Sequence, residues 1–190
     1  MANRNAPFGF RAYRHAAGGT IRTSRYRIAS GLAANIGYGD PVVETGTSAA
    51  DGTPRVTIAT ADGGQTGVFA GVWYKDPTTG DVVFSKNWKT GQTTFAAEDA
   101  EALVFDDPNI VFIAQMSDGL AAANIGLLAD LVIGAPNSLG VSTSAIDSAD
   151  LAGSAAKILG VVSRPDNALG QYAVVEVMLG NHVRHERTAV

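Results

Sequence analysis

Few side chains in this sequence combine the type and spacing that chemistry demands. The histidines are His15, His182 and His185. His182 and His185 stand three apart, a spacing that on a helix would turn both toward one metal ion. They follow a strand-like run with only Glu186 beside them, so the expectation is solvated residues rather than ligands. Asp106 and Asp107 are adjacent carboxylates, which on a strand would point to opposite faces. Followed by Pro108-Asn109, they read as a turn and lack the alternating oxygen ligands of a calcium loop. Serines abound, yet no Gly-x-Ser-x-Gly elbow and no glycine-rich phosphate loop occurs. The absence of cysteine removes disulfides, thiolate metal sites and a cysteine nucleophile. The expectation is a protein that is not an enzyme and that carries no cofactor or metal. Trp73 and Trp88 offer rings to a carbohydrate- or ligand-binding β module, and a core or subunit interface would use them equally well.

Charge is distributed more tellingly than it is summed. The formal net charge is −4 over 190 residues, but the first thirty hold Arg4, Arg11, Arg14, Arg22, Arg25 and Arg27 with no Asp or Glu. All 18 carboxylates lie downstream, against eight of the 14 basic residues. Phe8, Phe10, Tyr13 and Tyr26 are interleaved with these arginines, and Pro7, Gly9, Gly18 and Gly19 interrupt any helix. A solvating tail would hold few aromatics. Residues 1–30 therefore read as an extended basic and aromatic arm, and 31–190 as an acidic body. The arm could pack on its own domain, bind nucleic acid, or lie along a partner protein. Arginines and aromatic rings are the anchors that protein interfaces enrich, which favours the last. The acidic body disfavours nucleic acid.

The body consists of short apolar runs separated by turn chemistry. Candidate strands are 41–45, 55–60, 68–74, 82–84, 110–116, 131–133, 158–162 and 172–179, with a hairpin turning at Asp76-Pro77-Thr78-Thr79-Gly80. Residues 95–103 suit one short helix, while 118–129 and 148–157 are alanine-rich and suit helix or loop. The spacing predicts a mainly β chain, an antiparallel sandwich or barrel with short helices. Two short echoes occur. Ala33-Ala34-Asn35-Ile36-Gly37 recurs as Ala122-Ala123-Asn124-Ile125-Gly126, and Phe69-Ala70-Gly71-Val72 resembles Leu159-Gly160-Val161-Val162. Matches of this length also arise by chance. No apolar stretch approaches the roughly 20 residues that span a bilayer, and the first residues lack a secretory signal's apolar run. The expectation is a chain made in a cytoplasm, without a membrane partner.

Four blocks in order carry a resemblance. They are Ala34-Asn35-Ile36-Gly37-Tyr38-Gly39-Asp40-Pro41-Val42; Gly67 to Tyr74 with Phe84-Ser85-Lys86-Asn87-Trp88; Phe105-Asp106-Asp107-Pro108-Asn109-Ile110-Val111-Phe112; and Ile158 to Asn167 through Arg164-Pro165-Asp166. Together they make most of 31–182 similar to the head decoration, or capsid cement, proteins of tailed bacteriophages. The resemblance implies a structural protein on the outer surface of the virion head, bound to the major capsid protein. It also implies a homo-oligomer, commonly a trimer with a dimer the other option. On that reading the capsid-binding residues are Arg4, Phe8, Phe10, Arg11, Tyr13, Arg14, Arg22, Arg25, Tyr26 and Arg27.

Overall fold

Alternation of apolar and polar residues with turn-forming punctuation gives strands nearly throughout. In a computed structural model, which describes residues 3–183 and 185–186, seventeen strands appear. In chain order, the first nine are β1 (Arg11–His15), β2 (Ser24–Ile28), β3 (Ile36–Gly37), β4 (Pro41–Ser48), β5 (Pro54–Ile58), β6 (Gly67–Lys75), β7 (Val82–Ser85), β8 (Asn87–Trp88) and β9 (Ala100–Phe105). The remainder are β10 (Ile110–Gln115), β11 (Leu128–Ala129), β12 (Leu131–Val132), β13 (Ala145–Ile146), β14 (Ala156–Val161), β15 (Val174–Leu179), β16 (Asn181–His182) and β17 (His185–Glu186).

Pairing closes the first half into a five-stranded ring. Strand β2 runs antiparallel to β9, β9 to β6, β6 to β4 and β4 to β5, and β5 returns parallel to β2 through Arg27 and Arg55. The second half repeats this circuit. Strand β10 pairs with β15, β15 with β14 and β14 with β11, while β12 continues to β13. A parallel bridge from Met116 to Ile146 completes the ring. The register repeats as well. A bulge interrupts β6 between Phe69 and Gly71, and another interrupts β14 between Ile158 and Gly160. Gly39 and Gly126, with φ of 92° and 93°, each donate a backbone N–H to the residue before that bulge, Phe69 and Ile158. The repeat lies in this circuit and register rather than in the echoed residues: Ile36-Gly37 pairs with β8, Ala122–Asn124 forms a 3-10 turn, and the glycine equivalent to Gly126 is Gly39, outside the first echo. The second echo runs one residue out of register, because Phe69 matches Ile158.

Each ring encloses its own core. Tyr26, Ile28, Val42, Val56, Phe69 and Trp88 fill the first. Phe10, Phe112, Met116, Ile146, Ile158 and Leu179 are among those filling the second. Period-two patterning explains the sorting: in β9 Ala100, Ala102 and Val104 face in, while Glu101 and Leu103 lie at the outer face.

Several expectations need correction. Residues 3–30 do not leave the body. Strand β1 pairs with β10, and β2 is a member of the first ring. The reason is Arg25-Tyr26-Arg27-Ile28, which alternates at strand period and buries Tyr26 and Ile28. Residues 95–103 form no α-helix; a 3-10 turn at Phe95–Ala97 leads into β9, and the other short helical element is a 3-10 turn at Ala122–Asn124. His182 is not solvated but buried, at a bridge to Gln65. The side chains of His185 and Glu186 lie outside the described part, as do Met1 and Ala2.

The rings are joined by a buried carboxylate. Asp40 is fully inaccessible and accepts from the Gly37 N–H at 2.7 Å, the Ser144 hydroxyl at 2.8 Å and the Ser142 hydroxyl. Around it, Tyr38 bridges Val141, and the Phe10 N–H donates to Gly39 O at 2.8 Å. Burial pushes the Asp40 carboxyl above its ordinary value, and these donors oppose that rise. Replacing Asp40 with Ala removes the acceptor for three buried donors and should cost about 3 kcal/mol in denaturant unfolding. Because the folded state holds this proton more tightly, its contribution is fully present below the unfolded pKa and is lost as pH rises through the folded one. Wild-type stability relative to Asp40→Asn should therefore fall as pH rises out of the carboxylate range, measured by unfolding at a series of pH values.

Candidate docking surface

The charged N-terminal segment is placed by two side-chain amides. Gln115, on β10 and almost fully buried, accepts from the Ala6 N–H at 2.9 Å. It donates to Arg4 O at 2.8 Å and to Tyr172 O at 3.0 Å. Asn3 donates to Ala168 O and Gln171 O, each at 2.7 Å, and accepts from the Ala168 N–H at 2.9 Å. A buried amide must satisfy its groups, and Gln115 does so on the chain itself. Farther along, Gly9 at φ 71° lets the backbone pass so close to Ser142 that a Cβ would stand 2.5 Å from the serine's own Cβ. That passage delivers Phe10 into the second core, edge-on to Phe112 at 6.5 Å.

The result is a groove of about 420 Å³ on the second barrel, whose lining includes Arg4, Phe8, Arg11, Arg164 and Asp166. Three arginines and one aspartate thus line it, on a chain whose net charge is negative. The Arg11 guanidinium lies 4.6 Å above the Phe8 ring, which orients it without consuming its hydrogen-bond donors. Arg164 is held by Asp166 at 3.1 Å in an exposed pair. Arg4 makes no ion pair among the described residues. Such a groove suits carboxylates presented by a partner, which guanidinium groups grip in bidentate fashion.

The other expected residues are divided. Tyr13 is exposed on β1 and Arg22 is exposed before β2. Arg14 pairs with Glu176 at 2.6 Å, Arg25 with Glu101 at 3.5 Å, and Arg27 with Asp51 at 2.6 Å. The Thr53 N–H, and after it the hydrogen bond from Arg27, lower the Asp51 pKa to about 2. Phe10 and Tyr26 are core, so they present nothing to a partner. Tyr26 and Ser24 instead donate to the buried Asp106, at 3.0 and 2.7 Å. Asp107 points the other way, to the Asn109 N–H at 2.8 Å and to His15 at 3.1 Å; the Asn109 N–H chiefly, and His15 less, lower its pKa. Arg164 was missed as a site residue; its Arg-Pro-Asp turn was visible, but its proximity to Arg4 was not.

The two tryptophans do not share a platform. Trp88 is fully buried, edge-on to Tyr74, whereas Trp73 is exposed against Phe84 at 4.9 Å. Among the described residues no group of three His, Asp or Glu could hold a metal ion. Comparison with protein-family models, curated proteins and solved structures gave no match.

Gln115→Leu should release residues 3–6 while leaving the barrels folded. The expected outcome is faster trypsin cleavage after Arg4 and faster amide exchange there, with the far-UV dichroism of wild type. Unchanged protection would remove Gln115 from this role.

Proposed function

We propose that this chain is a structural protein that docks on a larger protein assembly through the guanidinium groove. The resemblance points to the outer surface of a tailed-phage head as that assembly, with the major capsid protein as the partner. The observation that carries the reading is the convergence of Arg4, Arg11 and Arg164 beside Phe8 on a surface already held by Gln115. A preorganised segment avoids much of the ordering cost that a loose arm would incur on binding. Arginine pairs set register and orientation against acidic groups of a shell, while Phe8 and Tyr13 supply apolar contact. A cement repeats modest contacts over many symmetry-related sites, so one groove per chain suffices once copies act together. Three local arginines make a weak footprint for nucleic acid, whose binding would show a steep salt dependence.

The test is cosedimentation with expanded heads assembled from the capsid protein of the same genome. Arg4→Glu combined with Arg11→Glu should weaken binding by about 100-fold, and Arg11→Lys by less, since an ammonium group cannot bind bidentately. Equal binding by the folded charge-reversal variant would defeat the proposal. Retention on DNA at low salt, lost in that variant, would reassign the groove to phosphate.

A further inference from the structure

A closed ring has no free edge. This chain closes two rings and then adds one strand outside each. On the second barrel the added strand is β1, Arg-Ala-Tyr-Arg-His, with a bulge between Ala12 and Arg14. Arginines and a bulge are devices that keep an edge from pairing with another chain. On the first barrel the added strand is β7, Val82-Val83-Phe84-Ser85, bonded only to β6. It has no charge, proline or bulge, and the second repeat has no equivalent of it, since β14 passes to β15 through the loop stapled by Asn167.

Both the backbone and the side chains of β7 face outward at the same residues. The Asp76 N–H donates to Asp81 O at the hairpin end, and the register runs Lys75–Val82, Tyr74–Val83, Trp73–Phe84. Antiparallel pairs alternate between bonded and non-bonded, so Val83 bonds to β6 while Val82 and Phe84 aim N–H and C=O groups away from the sheet. The same two residues expose their side chains, 65% and 43%, beside Trp73 at 42%. Phe84 is fixed there, since its ring lies over Gly71, where a Cβ would come within 2.5 Å of it.

We infer that β7 is a self-association edge, pairing antiparallel with β7 of a second copy across a two-fold axis centred on Val83. A two-fold normal to the sheet keeps each residue on its own face, so opposed residues must share parity. Centring on Val83 opposes Val82 to Phe84 twice, matching apolar to apolar in bonded pairs and adding four backbone hydrogen bonds. It also sets Lys86 across from Gly80, next to Asp81, so the charges flanking the strand are complementary. Centring on Phe84 would instead oppose Val82 to Lys86. An isologous contact of this kind yields a dimer rather than a trimer. The inference is independent of the guanidinium groove, which lies on the other barrel.

The chain has no cysteine, so one introduced thiol reports cleanly. Val83 faces its own copy in a non-bonded pair, where Cα atoms stand about 4.5 Å apart, within disulfide range. Val83→Cys should form a covalent dimer under mild oxidation, whereas Leu139→Cys, exposed in a loop, should stay monomeric. Wild type should sediment as a concentration-dependent dimer. Val82→Lys with Phe84→Glu should weaken dimerisation about 100-fold while keeping the wild-type far-UV dichroism. Arg4→Glu with Arg11→Glu should dimerise normally, which separates this result from the groove's. A monomeric wild type at high concentration, or Val83→Cys linking no faster than Leu139→Cys, would overturn the inference.

Discussion

The Asp40 carboxylate is the constraint on which the arrangement of the molecule depends. It belongs to the first ring by sequence and is solvated by the second, through Ser142 and Ser144. A buried carboxylate without donors would be costly, so the two rings are held at the separation that supplies them. The Tyr38–Val141 bridge and the Phe10–Gly39 hydrogen bond exist only at that separation. Because Phe10 is part of this seam, the residues before it are carried onto the second barrel, where Gln115 receives them. The groove is thus a consequence of inter-barrel packing.

The exchange between halves is reciprocal. The N-terminal strand β1 extends the second barrel, and the segment around His182 returns to the first through Gln65. Each terminal segment therefore belongs to the barrel built from the opposite half of the sequence. This arrangement ties two small cores into one cooperative body, which neither ring of short strands would achieve as well alone.

Divergence between the repeats places the surfaces available to partners. The common circuit is occupied with closing a sheet and filling its interior, and its outward residues are largely spent on local ion pairs such as Arg27 with Asp51 and Arg14 with Glu176. The novel surfaces arise where one copy has something the other lacks. The first has the β6–β7 flap with Trp73 and Phe84, and the second has the N-terminal segment laid against the outer face of β10. A repeat supplies a stable frame, and its exceptions carry recognition.

Strand identity was legible from sequence because it is local. Alternation and turn residues located β4, β5, β6, β7, β10, β14 and β15. Composition misled where it outweighed pattern: the arginines of residues 1–30 suggested an arm, although Arg25-Tyr26-Arg27-Ile28 already alternated like a strand. The five-residue echo did not locate the repeat, because what the halves share is a hydrogen-bond register rather than residue identity. By itself, then, the sequence determined a cysteine-free, mainly β chain with its basic residues crowded at the start. Ring closure, the burial of Phe10, Tyr26 and Trp88, and the meeting of Arg4 and Arg11 with Arg164 were decided only by tertiary structure. Each depends on contacts between residues far apart in the chain, and spacing along the sequence does not encode which edges will find one another.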